Sequence, residues 1–568
     1  MDKRFFLALV LTAAVIVVVP LLFPSAERRA VVTTVNDSTP RAARATDSVP
    51  RVATQRAADT ATRSASSGAG ATTVAVPPVR AETTTLHARH ATYAFTSHGA
   101  LPIAATLDSY PSRRPASTAG AVHLVPPGGA LLRLRLAQER DTIALDTLPF
   151  RVEHADAASL TYATSVNGAA LRVTYAVVPD SFLLRVGTRV TGASPRSALL
   201  IELPRTLRSN EPDTLDDLNH LAVSYRSRGD VSNVPFSKLD STQLRTESGP
   251  LDWVAARNKY FLVALRSEAK RPFAELRLRG VSHTSKVATQ ASATAVLPLG
   301  ADGSATADVY AGPQDFERLQ RLGRDLDQVN PYAGWLHGVV QPFTTIVMKA
   351  LLWMKRTTQL NYGWVLILFG ILIRLALWPL NQSAMRTSMK MQRLQPELQA
   401  LQKKYTDDPK RQQEAIMKVY QDHGMSPLSP LMGCLPMLIP MPVLFALYYV
   451  FNNTIEFRGV SFLWLPDLSL RDPYYITPVV MGLTMFLMSW IGLRGSPPNP
   501  QAKMMSYMMP AVMTAVFLNF ASGLNLYYAV QNLASIPQQW LLARERMKAG
   551  PAPVSAPSAA APAIKRRS

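Results

Sequence analysis

The chain has one cysteine, Cys434, so it cannot form an intramolecular disulfide. A small buried thiol at the head of an apolar run is the expected state of that residue. Acidic residues are scarce beside basic ones, 39 against 60, which leaves a formal charge of +21. The chain also lacks Gly-x-Ser-x-Gly, His-Glu-x-x-His and the phosphate-cradling Gly-Lys-Ser/Thr. Those absences argue against common hydrolase, metalloprotease and nucleotide sites, and no enzyme activity is expected. His87 and His90 imitate a metal pair, but no third ligand accompanies them. Neither a metal nor another cofactor is therefore expected. The basic residues are not gathered in one domain with interleaved aromatics, which argues against direct DNA binding. Many are isolated arginines in residues 25–330, and others flank long apolar runs. With 48% hydrophobic residues, that distribution indicates a membrane protein.

An apolar run from Phe5 to Phe23 follows Lys3 and Arg4. It is longer than the apolar part of a signal peptide and is followed by a poor cleavage site. Residues 1–24 are expected to form an uncleaved anchor with its start in the cytoplasm. Residues 25–80, rich in Ala, Thr, Arg and Ser, cannot bury enough apolar surface to offset ordering and are read as a disordered tether. Period-two runs then begin, such as Leu132-Arg133-Leu134-Arg135-Leu136 and Glu275-Leu276-Arg277-Leu278-Arg279. Alternation of this kind predicts strands with one face in a core, and residues 81–312 are expected to form an extracytoplasmic all-β sandwich.

Residues 313–358 are read as a linker and an amphipathic helix lying in the membrane interface, with a helix packed on the sandwich as the alternative. Five spanning candidates follow within 359–543: 361–380, 431–451, 474–493, 504–520 and 524–542. With the anchor they give a six-span α-helical membrane bundle. Eight Lys and Arg lie in 382–427, two in 494–503, and six in the tail 544–568, whereas loop 454–473 has only Arg458 and Arg471 against three acids. Six spans with both termini in the cytoplasm satisfy this distribution.

Three segments draw attention. Within 382–427, Met391, Leu394, Leu398, Leu401 and Tyr405 follow the spacing of a coiled-coil seam, and Asp408-Pro409 begins a second helix. A basic cytoplasmic helical hairpin results, with Lys403 and Lys404 beside its turn, read as a docking arm for a ribosome, nascent chain or targeting factor, with a passive connector bearing a solvated charged face as the alternative. Arg374 stands inside an apolar span, where a charge needs a partner, water, or a stretch to the headgroups. No Asp or Glu lies well inside another span to pair with it. The last span is rich in amides, including Asn525, Gln531, Asn532, Gln538 and Gln539, which need interhelical hydrogen bonds or a wet groove. Methionines crowd 481–513, where packing is the expected role and an adaptable surface the alternative.

Asn361-Tyr362-Gly363-Trp364, the arginine-bearing span and Trp378-Pro379-Leu380 resemble the second span of the YidC/Oxa/Alb insertases. Leu394-Gln395-Pro396, the run Pro430 to Pro436 and Ser522-Gly523-Leu524-Asn525-Leu526-Tyr527-Tyr528 resemble the same family, over roughly 310–545. Tyr310-Ala311-Gly312-Pro313 resembles the end of its Gram-negative periplasmic domain. The resemblance implies an inner-membrane insertase and chaperone that acts on nascent membrane proteins, alone or with the Sec translocon, in contact with phospholipid. It also implies the ribosome and the signal recognition particle receptor as partners. On that resemblance a substrate groove holds Arg374, Gly370, Tyr527, Tyr528, Gln531 and Asn532.

Overall fold

Period-two sequence becomes paired strand because alternate side chains share one face. In strand Arg133–Gln138, Leu134 and Leu136 are buried while Arg133 and Arg135, which alternate with them, lie on the other face. Strand Phe273–Gly280 repeats the pattern with Leu276 and Leu278. The computed structural model describes residues 81–548, apart from 115–119, 139–140, 167, 195, 282–288, 331–336, 380, 383–393, 395–396, 399, 406–407, 423–440 and 495–499. The expected anchor, the tether, Met391 and Cys434 lie outside the described residues, as does the tail beyond 548.

The strands form two antiparallel sheets. One has four strands in chain order between Thr83 and His123. The other has fourteen, running from Arg133 to Pro313 and including the pairing of Leu183–Val190 with Ser304–Pro313. A single apolar core joins them, with Tyr93, Phe95, Tyr175 and Trp253 sealed from water. Tyrosine hydroxyls also tie the sheets together: Tyr93 donates to the Phe182 carbonyl at 3.2 Å and Tyr175 to the Ala100 carbonyl at 2.8 Å. A short helix, α1 (Thr214–Asn219), lies within this β-domain and is capped by Asp213, which accepts from Asp216 N. The domain exits through α2 (Phe316–Leu322), capped by Asp315 and closed by Gly323 at φ +73°.

The helical core begins with α3 (His337–Thr358) and α4 (Tyr362–Ala376), which meet at 118°. Asn361 caps α4 by accepting from Gly363 N. Val340 of α3 packs with Phe445 and Tyr449, while Phe343, Ile346 and Trp353 remain exposed. The helix therefore rests on the helical core rather than on the sandwich, and it keeps an apolar flank uncovered. Then come α5 (Pro409–Asp422), α6 (Met441–Asn453), α7 (Ile476–Leu493), α8 (Pro500–Phe517) and α9 (Ser522–Lys548). Among the described residues, α7 alone is long and apolar enough to cross a bilayer as a continuous helix, and α3 with α4 meet the measure jointly as a bent pair.

Loop 454–473, between α6 and α7, docks onto the β-domain. Arg458 pairs with Glu211 at 2.7 Å, and Asp467 pairs with Arg113 at 3.0 Å. Gly459 has φ +76°, and a side chain there would collide with the Arg113 guanidinium. Glu456 accepts from Phe316 N, the first residue of α2, at 3.1 Å, while its other carboxylate oxygen is buried without a partner. Burial, with Asp315 adding to it, pushes the Glu456 carboxyl up to about 8. Burial also raises Glu211, and Arg458 opposes that rise.

Candidate functional site

α4 is apolar over most of its length and carries Arg374 in its last turn, where the helix dipole favours a cation. Arg374 Nη2 donates to Gln538 Oε1 at 2.5 Å. The partner is a neutral amide, so the arginine keeps its charge uncompensated. Its Nε is buried and has no hydrogen-bond partner. Gln538 is itself sealed from water and uses its amide nitrogen on the Trp378 carbonyl at 3.4 Å and on Gln382 Oε1 at 3.2 Å. These contacts join the end of α4 to the last helix.

On α9, one turn separates Tyr527 from Gln531, whose Nε2 donates to the Tyr527 hydroxyl at 2.8 Å. The Tyr527 ring also stacks at an angle against Phe369 of α4, 6.1 Å away. Gly370 of α4 faces α9 at the same level. A Cβ there would come within 3.2 Å of Val530 and 3.5 Å of Tyr527. Tyr527, Gln531 and Gln538 thus share the α9 face turned to α4, with Arg374 beside them. Asn532 points elsewhere: its Nδ2 reaches the Met481 carbonyl at 3.4 Å and Thr484 Oγ1 at 3.3 Å on α7. Tyr528 packs edge-on against Phe517 and Tyr527. Asn525 donates to the Phe517 carbonyl at 3.1 Å. The amides of the last helix therefore serve three neighbours, α4, α7 and α8. Gln538 is the residue that sequence reasoning left unassigned, and its only advance signal was membership of that amide-rich run.

In the basic segment, Leu394 and Leu398 form a small apolar cluster with Val419 and Tyr420 of α5, flanked by Leu401 and Ile416. Asp408 caps α5 through Arg411 N at 3.2 Å. Lys403 and Lys404 are exposed, and the Lys404 ammonium lies 5.5 Å from the centre of the half-buried Tyr405 ring. Among the described residues, no group of three or more His, Cys, Asp or Glu could hold a metal ion.

Two family profiles match the chain. One, described as 60Kd inner membrane protein, covers residues 353–549, and the other, described as YidC periplasmic domain, covers 98–346. The membrane protein insertase YidC of Chlorobaculum tepidum is 30% identical over 442 residues, covering 72% of this chain and 73% of that protein. The corresponding protein of Ralstonia nicotianae is 34% identical over 400 residues, covering 68% of each. A solved structure of an active YidC insertase with its first transmembrane domain resolved is 18% identical at TM-score 0.34, covering 81% of this chain and 93% of that one. On the two profiles and the sequence relatives, the chain belongs to the YidC family of membrane protein insertases, non-enzymatic proteins of the inner membrane with a periplasmic β-domain, and its substrates are nascent membrane proteins.

Proposed function

We propose that insertion runs through a hydrophilic groove between α4 and α9, open to the cytoplasm and to lipid, in which Arg374 transiently holds the hydrophilic flank of an incoming chain. The observation that carries this reading is the Arg374 guanidinium, buried in part, held by the Gln538 amide, and keeping a buried Nε unpartnered. A cation without a carboxylate partner is costly in hydrocarbon and attracts water or an anionic group. Wetting the groove shortens the hydrocarbon path, and burial of the substrate's apolar helix drives its release into lipid. No covalent step is needed. Gly370, Tyr527, Tyr528, Gln531 and Asn532 complete the groove in this reading, Asn532 by fixing α9 against α7.

The same reading gives the chain six spans, the anchor and the five of the core, with both termini in the cytoplasm. Domain limits follow the sequence: anchor 1–24, tether 25–80, periplasmic domain 81–312, interfacial segment 313–358, core 359–543 and basic tail 544–568. The hairpin 382–427 docks a ribosome or the signal recognition particle receptor, and the core works alone or beside the Sec translocon. Its exposed lysines and its small apolar seam support that role. The test is rescue of a host depleted of its own insertase. Support of small-membrane-protein insertion by this chain, with loss in Arg374→Ala, is the expected result. Failure of the unaltered chain would reject the assignment, and full activity of the alanine variant would reject the role given to Arg374.

A further inference from the structure

Two matching side-chain pairs stand at the end of the bundle away from the β-domain. Just past the end of α7 the Arg494 guanidinium lies 3.7 Å from the centre of the Trp490 ring, and on α9 that of Arg544 lies 3.5 Å from the centre of the Trp540 ring. Each arginine follows its tryptophan by four residues, one helical turn. The two helices run side by side in the same direction. Arg471 bridges Ala521 just before their starts, Asn532 reaches Met481 and Thr484 further along, and Gly492 at the end of α7 faces Gln539 of α9. The two pairs therefore stand at one level. Both indoles are exposed, and so are Leu483, Phe486 and Leu487 on α7 and Leu533 and Leu541 on α9. Among the described residues, neither arginine has a carboxylate within 4.0 Å.

A guanidinium stacked on an indole has its face covered and its N–H edge free, the geometry that grips a phosphate with two parallel bonds. Tryptophan prefers the boundary between hydrocarbon and headgroup, which sets the arginine one turn further out at phosphate depth. We propose that Trp490–Arg494 and Trp540–Arg544 are paired binding sites for the phosphates of anionic phospholipids in the leaflet opposite the β-domain. This rests on the core standing in a bilayer as read above. The exposed apolar residues beside both pairs favour lipid over nucleic-acid phosphate. Gln538 lies two residues before Trp540, so gripping the lipid also fixes the depth at which the Arg374 partner is held.

The test uses the full chain in nanodiscs with spin-labelled phosphatidylglycerol and phosphatidylcholine. The unaltered chain is expected to enrich phosphatidylglycerol at its surface several-fold. Arg494→Gln with Arg544→Gln is expected to lower that preference at least twofold. The paired lysine variant should fall between, and Lys503→Gln, which removes an unstacked charge at the same end, should leave the preference intact. The proposal is overturned if the double glutamine variant keeps the full preference, or if Lys503→Gln lowers it as much. It is equally overturned if the double variant loses ribosome binding and no lipid preference. A chain that keeps the lipid preference but inserts nothing would refute the insertion reading and leave this one standing.

Discussion

Arg458 and Glu211 meet at 2.7 Å with their side chains 2% and 6% exposed, 247 residues apart in the chain. Arg458 also donates to the Pro111 carbonyl at 3.0 Å and lies 5.3 Å from the centre of the Phe261 ring. One loop side chain thus touches three separate parts of the β-domain, and the two halves of the molecule share a desolvated ionic contact.

Removing one member of a buried pair strands the other without water or counter-charge. Arg458→Ala is expected to destabilise the docked state by about 3–5 kcal/mol. Protease sensitivity of loop 454–473 should rise and the thermal midpoint of the full chain should fall. Replacing both partners together, Arg458→Met with Glu211→Leu, should recover much of the loss. If the double change is as damaging as the single one, the pair is not the source of the stability.

Glu456 predicts a pH dependence at the same junction. Its folded-state carboxyl is raised to about 8, so the folded protein holds a proton that the unfolded chain releases at ordinary carboxylate pH. The associated stability is present in full below the unfolded pKa and falls as pH rises towards about 8. Thermal midpoints of the solubilised chain from pH 6 to 9 should therefore decline, and Glu456→Gln should flatten the decline. An equal slope in the glutamine variant would assign the effect to another group.

At the core, hydrogen bonds to charged groups contribute about 1.5–3 kcal/mol, so losing the Gln538 amide should matter even though the charge survives. Gln538→Leu is expected to lower insertion by roughly tenfold, the fold-change that corresponds to about 1.4 kcal/mol, and Gln538→Glu should also lower it by neutralising the cation. Asn532→Ala, which touches α7 and not Arg374, should act through stability, with activity falling only as folded protein is lost. Insertion of a small single-span substrate per folded molecule distinguishes the two cases.

The hairpin gives a local prediction. Its apolar cluster is small, so Leu398→Asp should unpack it and speed amide exchange in α5 by more than tenfold. Exchange in α7 and α9 should be unchanged. Spread of the effect into those helices would show that the hairpin and core fold as one unit.

The sequence spoke clearly where a periodic pattern meets a single partner surface. Alternation predicted strands such as Arg133–Gln138, and Asn361 and Asp408-Pro409 marked helix starts. Arg374 stood out because a cation is rare in apolar sequence. Its partner did not, because several amides crowd α9 and only packing decides which neighbour each one meets: Gln538 turns to α4 and Asn532 to α7. The ion pairs between loop and β-domain left no local trace either. Arg458 and Asp467 served only to weigh loop charge against topology, and their partners lie 247 and 354 residues earlier.

That separation bears on biogenesis. The ribosome completes Arg113, Glu211 and Phe316 long before it makes the loop that covers them, with 140 to 354 residues of chain in between. Throughout that interval Arg113 and Glu211 lack the loop residues, Asp467 and Arg458, that pair with them in the finished fold. The junction between the β-domain and loop 454–473 therefore closes only after α6 has been synthesised, late in the making of the chain.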